Sequence, residues 1–102
     1  MVRIIALFNL KPGVSQADYE SWARRVDLPT VNRLPSIERF ELFKSAGLLG
    51  GAAAPPYEYI EVIDIRNMET FSKDVGGPVM QKVAREFSSL ADPIFIVTEK
   101  IE

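Results

Sequence analysis

The sequence predicts an α+β domain of ferredoxin-like βαββαβ topology, with a four-stranded antiparallel sheet and the helices on one face. Three observations predict it. A strand–helix–strand pattern of similar length occurs twice, over residues 2–43 and again over 57–101. Two such units interleave in one sheet in few ways, and right-handed crossovers place both helices on the same side. The chain has 102 residues, which suits one domain burying about two-thirds of its unfolded surface, so a single domain over 1–102 is expected. Lastly, the strands are apolar on both sides, and a sheet with helices on only one face should instead alternate apolar with polar. The second face therefore needs a cover, and two sheets packed face to face across a two-fold axis, a homodimeric α/β barrel, supply it.

The first strand is read over 2–9 and stops at Lys11-Pro12-Gly13. Ile4, Ala6 and Phe8 point to one side, Ile5 and Leu7 to the other. Ser15 followed by Asp18 is a capping pattern that starts a helix over 16–26. Tyr19, Trp22, Ala23 and Val26 then fall at i, i+3, i+4 and i+7, one apolar stripe. Asp27-Leu28-Pro29 is expected to end it, because the residue before a proline is pushed out of the helical region, and Asp27 reads as a helix-end polar contact. A short turn through Val31 and Leu34 leads to a second strand over 37–43.

The connection 45–56 is long and almost free of charge. Solvated loops are usually more polar, so Leu48 and Leu49 are expected to pack on their own domain or on a partner subunit. A third strand follows over 57–65. Asn67 caps the next helix, which carries Met68, Phe71 and Val75, breaks at Gly76-Gly77 and restarts at Pro78 with Val79, Val83, Phe87 and Leu90 at helical spacing. Gly76-Gly77 reads as punctuation, or as a close backbone approach to a ligand. Asp92 reads as a cap before the last strand, over 93–99, with Ile94 and Ile96 on one side against Phe95 and Val97.

Composition removes whole classes of chemistry. There is no cysteine and no histidine, so disulfides, thiol nucleophiles, thiolate or imidazole metal sites and Ser/His/Asp arrangements are out. Acid–base work falls to carboxylates, tyrosine, lysine or the substrate. No glycine-rich phosphate loop or dinucleotide fingerprint occurs, and no cofactor or metal is expected. A net charge of −2 with mixed signs offers no footprint for nucleic acid or an anionic membrane. The apolar run at 4–8 is too short to span a bilayer, and a cytoplasmic protein is the expectation.

The third strand carries the polar groups that invite chemistry. Tyr59, Glu61 and Ile63 share one face; Ile60, Val62 and Asp64 share the other. A carboxylate between Ile60 and Val62 is expected to look into an apolar pocket, where desolvation raises its pKa and suits it to proton transfer, with Tyr59 as a hydroxyl partner. The competing reading is an ion pair with Arg39 or Arg3. Trp22 is either core filling or a wall for a flat ligand. Asp74, two residues before the Gly-Gly-Pro break, is either solvated or a helper in the same space.

Five stretches, Arg3-Ile-Ile-Ala-Leu-Phe-Asn-Leu-Lys-Pro-Gly13, Val26-Asp-Leu-Pro-Thr30, Ala54-Pro-Pro-Tyr57, Tyr59-Ile-Glu-Val-Ile-Asp64 and Ala91-Asp-Pro-Ile-Phe95, resemble the RedY-like HapK family in order and spacing. The resemblance spans essentially the whole chain. It implies a dimeric α/β barrel of ferredoxin-like subunits and an association with prodiginine pigment biosynthesis, on its bipyrrole branch. A wider resemblance, to dimeric α/β barrels similar to plant polyketide cyclases, implies a ligand between sheet and helices, with Tyr59 and Glu61 on the helix-facing wall and Trp22 opposite. Those cyclases' histidine base falls at Met80, their first-strand histidine at Ile4 and their tyrosine before the break at Asp74. These departures argue against cyclase chemistry of that kind.

The functional expectation is a homodimer that binds a hydrophobic heteroaromatic or polyketide-derived intermediate and assists a cofactor-free cyclisation or condensation. Glu61 and Tyr59 supply acid–base groups, with Asp74 as a helper. Trp22, Phe8, Ala6, Ile63, Met80 and Val26 shape apolar walls. Two alternatives stand beside it: a non-catalytic carrier of the same intermediate, and a cofactor-free monooxygenase.

Overall fold

The computed structural model describes residues 1–102. Strands β1 (Val2–Leu10), β2 (Ile37–Lys44), β3 (Tyr59–Ile65) and β4 (Ala91–Thr98) form one antiparallel sheet in the order β2-β3-β1-β4. This is the ferredoxin-like α+β arrangement that the doubled pattern predicts. Helices α1 (Gln16–Trp22), α2 (Leu28–Asn32), α3 (Met68–Val75) and α4 (Pro78–Leu90) complete it.

Register explains which side chains the helices cover. Three rows run across the sheet beneath them: Phe40, Ile63, Ile4 and Val97; Leu42, Glu61, Ala6 and Phe95; Lys44, Tyr59, Phe8 and Pro93. A bulge between Ile37 and Arg39 adds a residue to β2, which keeps Ile37 inward while Arg39 faces out. Two core clusters result. Phe8, Tyr19, Trp22, Tyr59 and Phe87 dominate one, and Ile4, Val31, Ile37, Phe40, Ile63 and Ile65 form the other. Phe8 sits at the centre of the aromatic cluster, stacked on Tyr59 and edge-on to Tyr19 and Phe87, all at centroid separations of 5.1–5.5 Å.

The capping residues behave as their spacing predicts. Ser15 Oγ accepts from the Asp18 amide at 3.1 Å, and Asn67 Oδ1 accepts from the Thr70 amide at 2.9 Å. The expected end of the first helix does not. Beyond α1 the chain makes a wider π turn over Ala23–Asp27, with the Leu28 amide bonded to the Ala23 carbonyl, and then continues as α2. The shift in ladder register puts Pro29 in the first turn of α2, where a missing N–H costs little.

Other boundaries differ for local reasons. β3 begins at Tyr59, not at 57, because side chains replace the ladder just before it: the Leu10 amide donates to Glu58 Oε1 and the Glu58 amide to Asn9 Oδ1, both at 2.9 Å. Asp92 is no cap; it lies inside β4 opposite Asn9, exposed and 3.9 Å from Lys11 Nζ. Leu48 and Leu49 are not buried in their own domain: Leu48 is 41% exposed and Leu49 fully so. No helix is long and apolar enough to cross a membrane.

Removing the ring at the centre of the aromatic cluster should be costly: Phe8→Ala is expected to lower the unfolding free energy by about 3–5 kcal/mol. Loss of the exposed cap in Ser15→Ala is expected to cost about 1 kcal/mol. Urea denaturation midpoints at a common slope check both.

Candidate functional site

Between the sheet and the helices, where the two core clusters meet, lies a cavity of ≈ 200 Å³. Ten of its twelve lining residues are hydrophobic. The other two are Asp27 and Glu61. Glu61 comes from the middle of β3, on the helix-facing row, directly opposite Ala6. Asp27 comes from the π turn, the last residue before α2. Such turns recur at functional sites.

The two carboxyls are 5% and 3% exposed and are neighbours in the lining of the same cavity. Burial pushes both up, Asp27 to about 7 and Glu61 to about 8, and for Glu61 the neighbouring Asp27 charge adds to the effect. Two like charges in an apolar hollow cannot both persist, so the pair titrates as a unit and retains about one proton near neutrality. A third polar group stands close by. The Tyr19 hydroxyl is buried without a hydrogen-bond partner; burial, then the Glu61 and Asp27 charges, raise its pKa well above the usual tyrosine range.

The cavity has an open side. Val75, at the end of α3, and Phe95, on edge strand β4, are exposed members of its lining, so the mouth lies between the α3–α4 break and β4. Phe95 is 54% exposed although it faces the helical side.

Of the residues the sequence singles out, Glu61, Ile63 and Met80 meet at this cavity. Tyr59 does not join them. Its hydroxyl donates to Glu20 Oε2 at 2.7 Å, beside a separate surface hollow of ≈ 150 Å³ that Arg24 and Lys44 also line. Two residues along a strand separate Cα atoms by about 7 Å, and the ring carries the hydroxyl away toward α1. The partner of Glu61 is therefore Asp27. Trp22 stacks on Phe87 with rings 4° from parallel and donates through Nε1 to Glu86 Oε1 at 2.9 Å, one layer behind the cavity wall. Phe8, Ala6 and Val26 belong to the aromatic core cluster or its margin and do not line the cavity. Asp74 Oδ2 accepts from the Ser36 amide at 3.1 Å and ties α3 to the turn before β2. The ion-pair reading of Glu61 is excluded by the opposite sheet face, where Arg3 and Arg39 hold Asp64 at 2.7 and 3.9 Å.

Asp27 is the cavity-lining acid that the sequence pattern was not read to place there. Its signal is present: Tyr19, Trp22, Ala23, Val26 and Asp27 stand at i, i+3, i+4, i+7 and i+8, so an acid occupies the inward stripe. Reading Pro29 as a terminator hid it.

A family model described as REDY-like protein HapK matches residues 2–101. The chain belongs to this family. The crystal structure of HapK from Hahella chejuensis is 32% identical with a TM-score of 0.79, covering 99% of this chain and 93% of that one. At3g17210 from Arabidopsis thaliana superposes with a TM-score of 0.81 at 19% identity, over 100% and 97% of the two chains. SnoaB, a cofactor-independent oxygenase from Streptomyces nogalater, gives 0.78 at 15% identity over 99% and 93%. The last two likenesses concern the fold. No curated protein matches the chain in sequence.

The carboxyl pair makes the stability of this HapK-family chain depend on pH in a defined direction. Unfolded Asp and Glu titrate near pH ~4, below the folded values, so the folded chain binds more protons over the interval between them. Stability from the pair is full below pH ~4 and is lost as pH rises toward about 8. Glu61→Gln is therefore expected to be more stable than the parent at pH 8, by about 1–3 kcal/mol, and nearly equal to it at pH 4. Denaturant titrations of both proteins across this range check it; a difference that does not change with pH counts against a shared buried proton.

Proposed function

We propose that the protein is a biosynthetic protein that holds a hydrophobic small molecule in the cavity beneath the helices and moves a proton on it, assisting cyclisation or condensation of a pyrrole- or polyketide-type intermediate. The observation that carries this reading is the buried Asp27–Glu61 pair in an otherwise apolar hollow. A pair with one proton contains a base and an acid at once. The ionised carboxyl takes a proton from an acidic C–H, and the protonated one donates to a carbonyl or hydroxyl oxygen. Apolar walls hold a reactive chain folded, so that positioning supplies part of the rate. The association with prodiginine biosynthesis that the family resemblance implies makes a pyrrolyl β-keto compound the first substrate to try.

The working form is a homodimer. The sheet face away from the helices carries Ile5, Leu7, Ile60, Val62, Ile94, Ile96 and Phe43 in paired rows, and Phe43, Ile94 and Ile96 are exposed in the single chain. An apolar surface of this extent favours a second copy over solvent. Ile96→Glu is expected to convert a dimer into a monomer, as measured by light scattering on a sizing column.

Single-turnover product analysis with a pyrrolyl β-keto substrate tests the function. Acceleration is expected, and Glu61→Gln and Asp27→Asn are each expected to lose about 10²-fold or more of it. Tyr59→Phe, which changes a hydroxyl outside the cavity, is expected to stay within about threefold. Binding without acceleration makes the protein a carrier, and oxygen consumption with an electron-rich phenol or pyrrole makes it an oxygenase.

A further inference from the structure

The cavity is electrostatically incomplete. None of the chain's 12 basic residues lines it, and the chain has no histidine. Neither carboxyl has a cation beside it: no ion pair involves either, and each is buried against the other. The arginines that might have served are committed on the far sheet face to Asp64. Tyr19 faces the pair from α1, and its unpartnered hydroxyl is neutral at ordinary pH. A carboxylate removed from water without a partner is costly, and proteins that retain one usually pair it with something.

The walls add a second, independent observation. Four phenylalanines line this one small hollow: Phe40 from β2, Phe71 from α3, Phe87 from α4 and Phe95 from β4. Aromatic faces attract cations through the ring quadrupole, by about 0.5–2 kcal/mol depending on desolvation. Four aromatic side chains and two acids lining one hollow are complementary to positive charge, not merely to apolar surface. A neutral carbonyl ligand could accept the one shared proton but would leave the negative charge unanswered. An anion would be repelled.

We propose that the occupant of this cavity is a small, flat, apolar molecule bearing one protonated nitrogen, an amine or a conjugated imine, which supplies the missing countercharge to the Asp27–Glu61 pair while the phenylalanines enclose its ring. This rests on the reading of the cavity as the ligand site and narrows its substrate class. A volume of ≈ 200 Å³, below the ~300–1,000 Å³ of drug-sized sites, limits the enclosed part to a small ring system. Any remaining chain leaves through the mouth between Val75 and Phe95. In the bound state one carboxylate faces the cation, and the carboxyl beside it keeps or gives up its proton according to the chemistry that follows.

A matched trio of probes tests it: phenethylamine, phenethyl alcohol and phenylacetate, titrated by calorimetry into the intact protein at pH 7.5. The Met80 methyl resonance, from a cavity-lining side chain, reports where each binds. The amine is expected to bind at least about tenfold more tightly than the alcohol, with phenylacetate not binding, and to shift Met80. The double substitution Asp27→Asn with Glu61→Gln keeps the shape and removes the charge; it is expected to abolish the preference while the alcohol still binds. Equal binding of amine and alcohol to the parent overturns the charge inference and leaves the cavity as a ligand site. Tighter amine binding without a Met80 shift, or persisting in the double variant, places the cation elsewhere and also overturns it. If no probe moves Met80, the ligand-site reading fails and this inference with it.

Discussion

Two carboxyl groups held in an apolar hollow without a cation are the constraint around which this domain is organised. Folded proteins have only about 5–15 kcal/mol of net stability, and burying acids that must share a proton works against that margin. Dense packing on either side makes it tolerable. One side is the aromatic cluster centred on Phe8, and the other is the aliphatic cluster of Ile4, Ile37, Ile63 and Ile65. The hollow lies where these two clusters meet, so the strained polarity sits at a seam and neither core is interrupted.

The pair depends on two unrelated pieces of backbone. β3 supplies Glu61 by simple alternation, since every second residue from Tyr59 to Ile65 turns toward the helices. The π turn over Ala23–Asp27 supplies Asp27. A regular helix stopped at Pro29 would give that acid to solvent at a frayed end; the wider turn, followed by α2, keeps it under cover and on the cavity. The same turn also places Pro29 where its missing N–H does no harm, so one local irregularity accommodates a proline and carries a cavity-lining acid. The charged cluster on the opposite face has a quieter role. Arg3 and Arg39 hold Asp64, whose pKa the Arg3 hydrogen bond keeps below the usual carboxylate range, and they are thereby unavailable to Glu61.

Much of the fold was legible. Strand periodicity, the Ser15 and Asn67 caps and the break before Pro78 are local signals, and local sterics and hydrogen bonds decide them. The inward aim of Glu61 was legible for the same reason, because a period of two admits only two faces. Its partner was not. Tyr59 looked suitable because it is near in sequence and on the same face, but a ring pointing along the strand toward α1 finds Glu20 first. Trp22 and Phe8 are inward and aromatic, as the stripe and the alternation suggest, yet inward is not the same as lining a void. Periodicity assigns a side chain to a layer and is silent on the gaps within it.

By itself the sequence determined the topology, the family, the absence of imidazole and thiol chemistry, and the side of the sheet from which an acid would act. These follow from composition and from interactions spanning a few residues. Only the tertiary structure decided that Asp27 meets Glu61, that four phenylalanines surround them and that no basic residue does. Asp27 and Glu61 are 34 positions apart and the phenylalanines are scattered over two strands and two helices, brought together by packing of the two clusters, which no local propensity specifies.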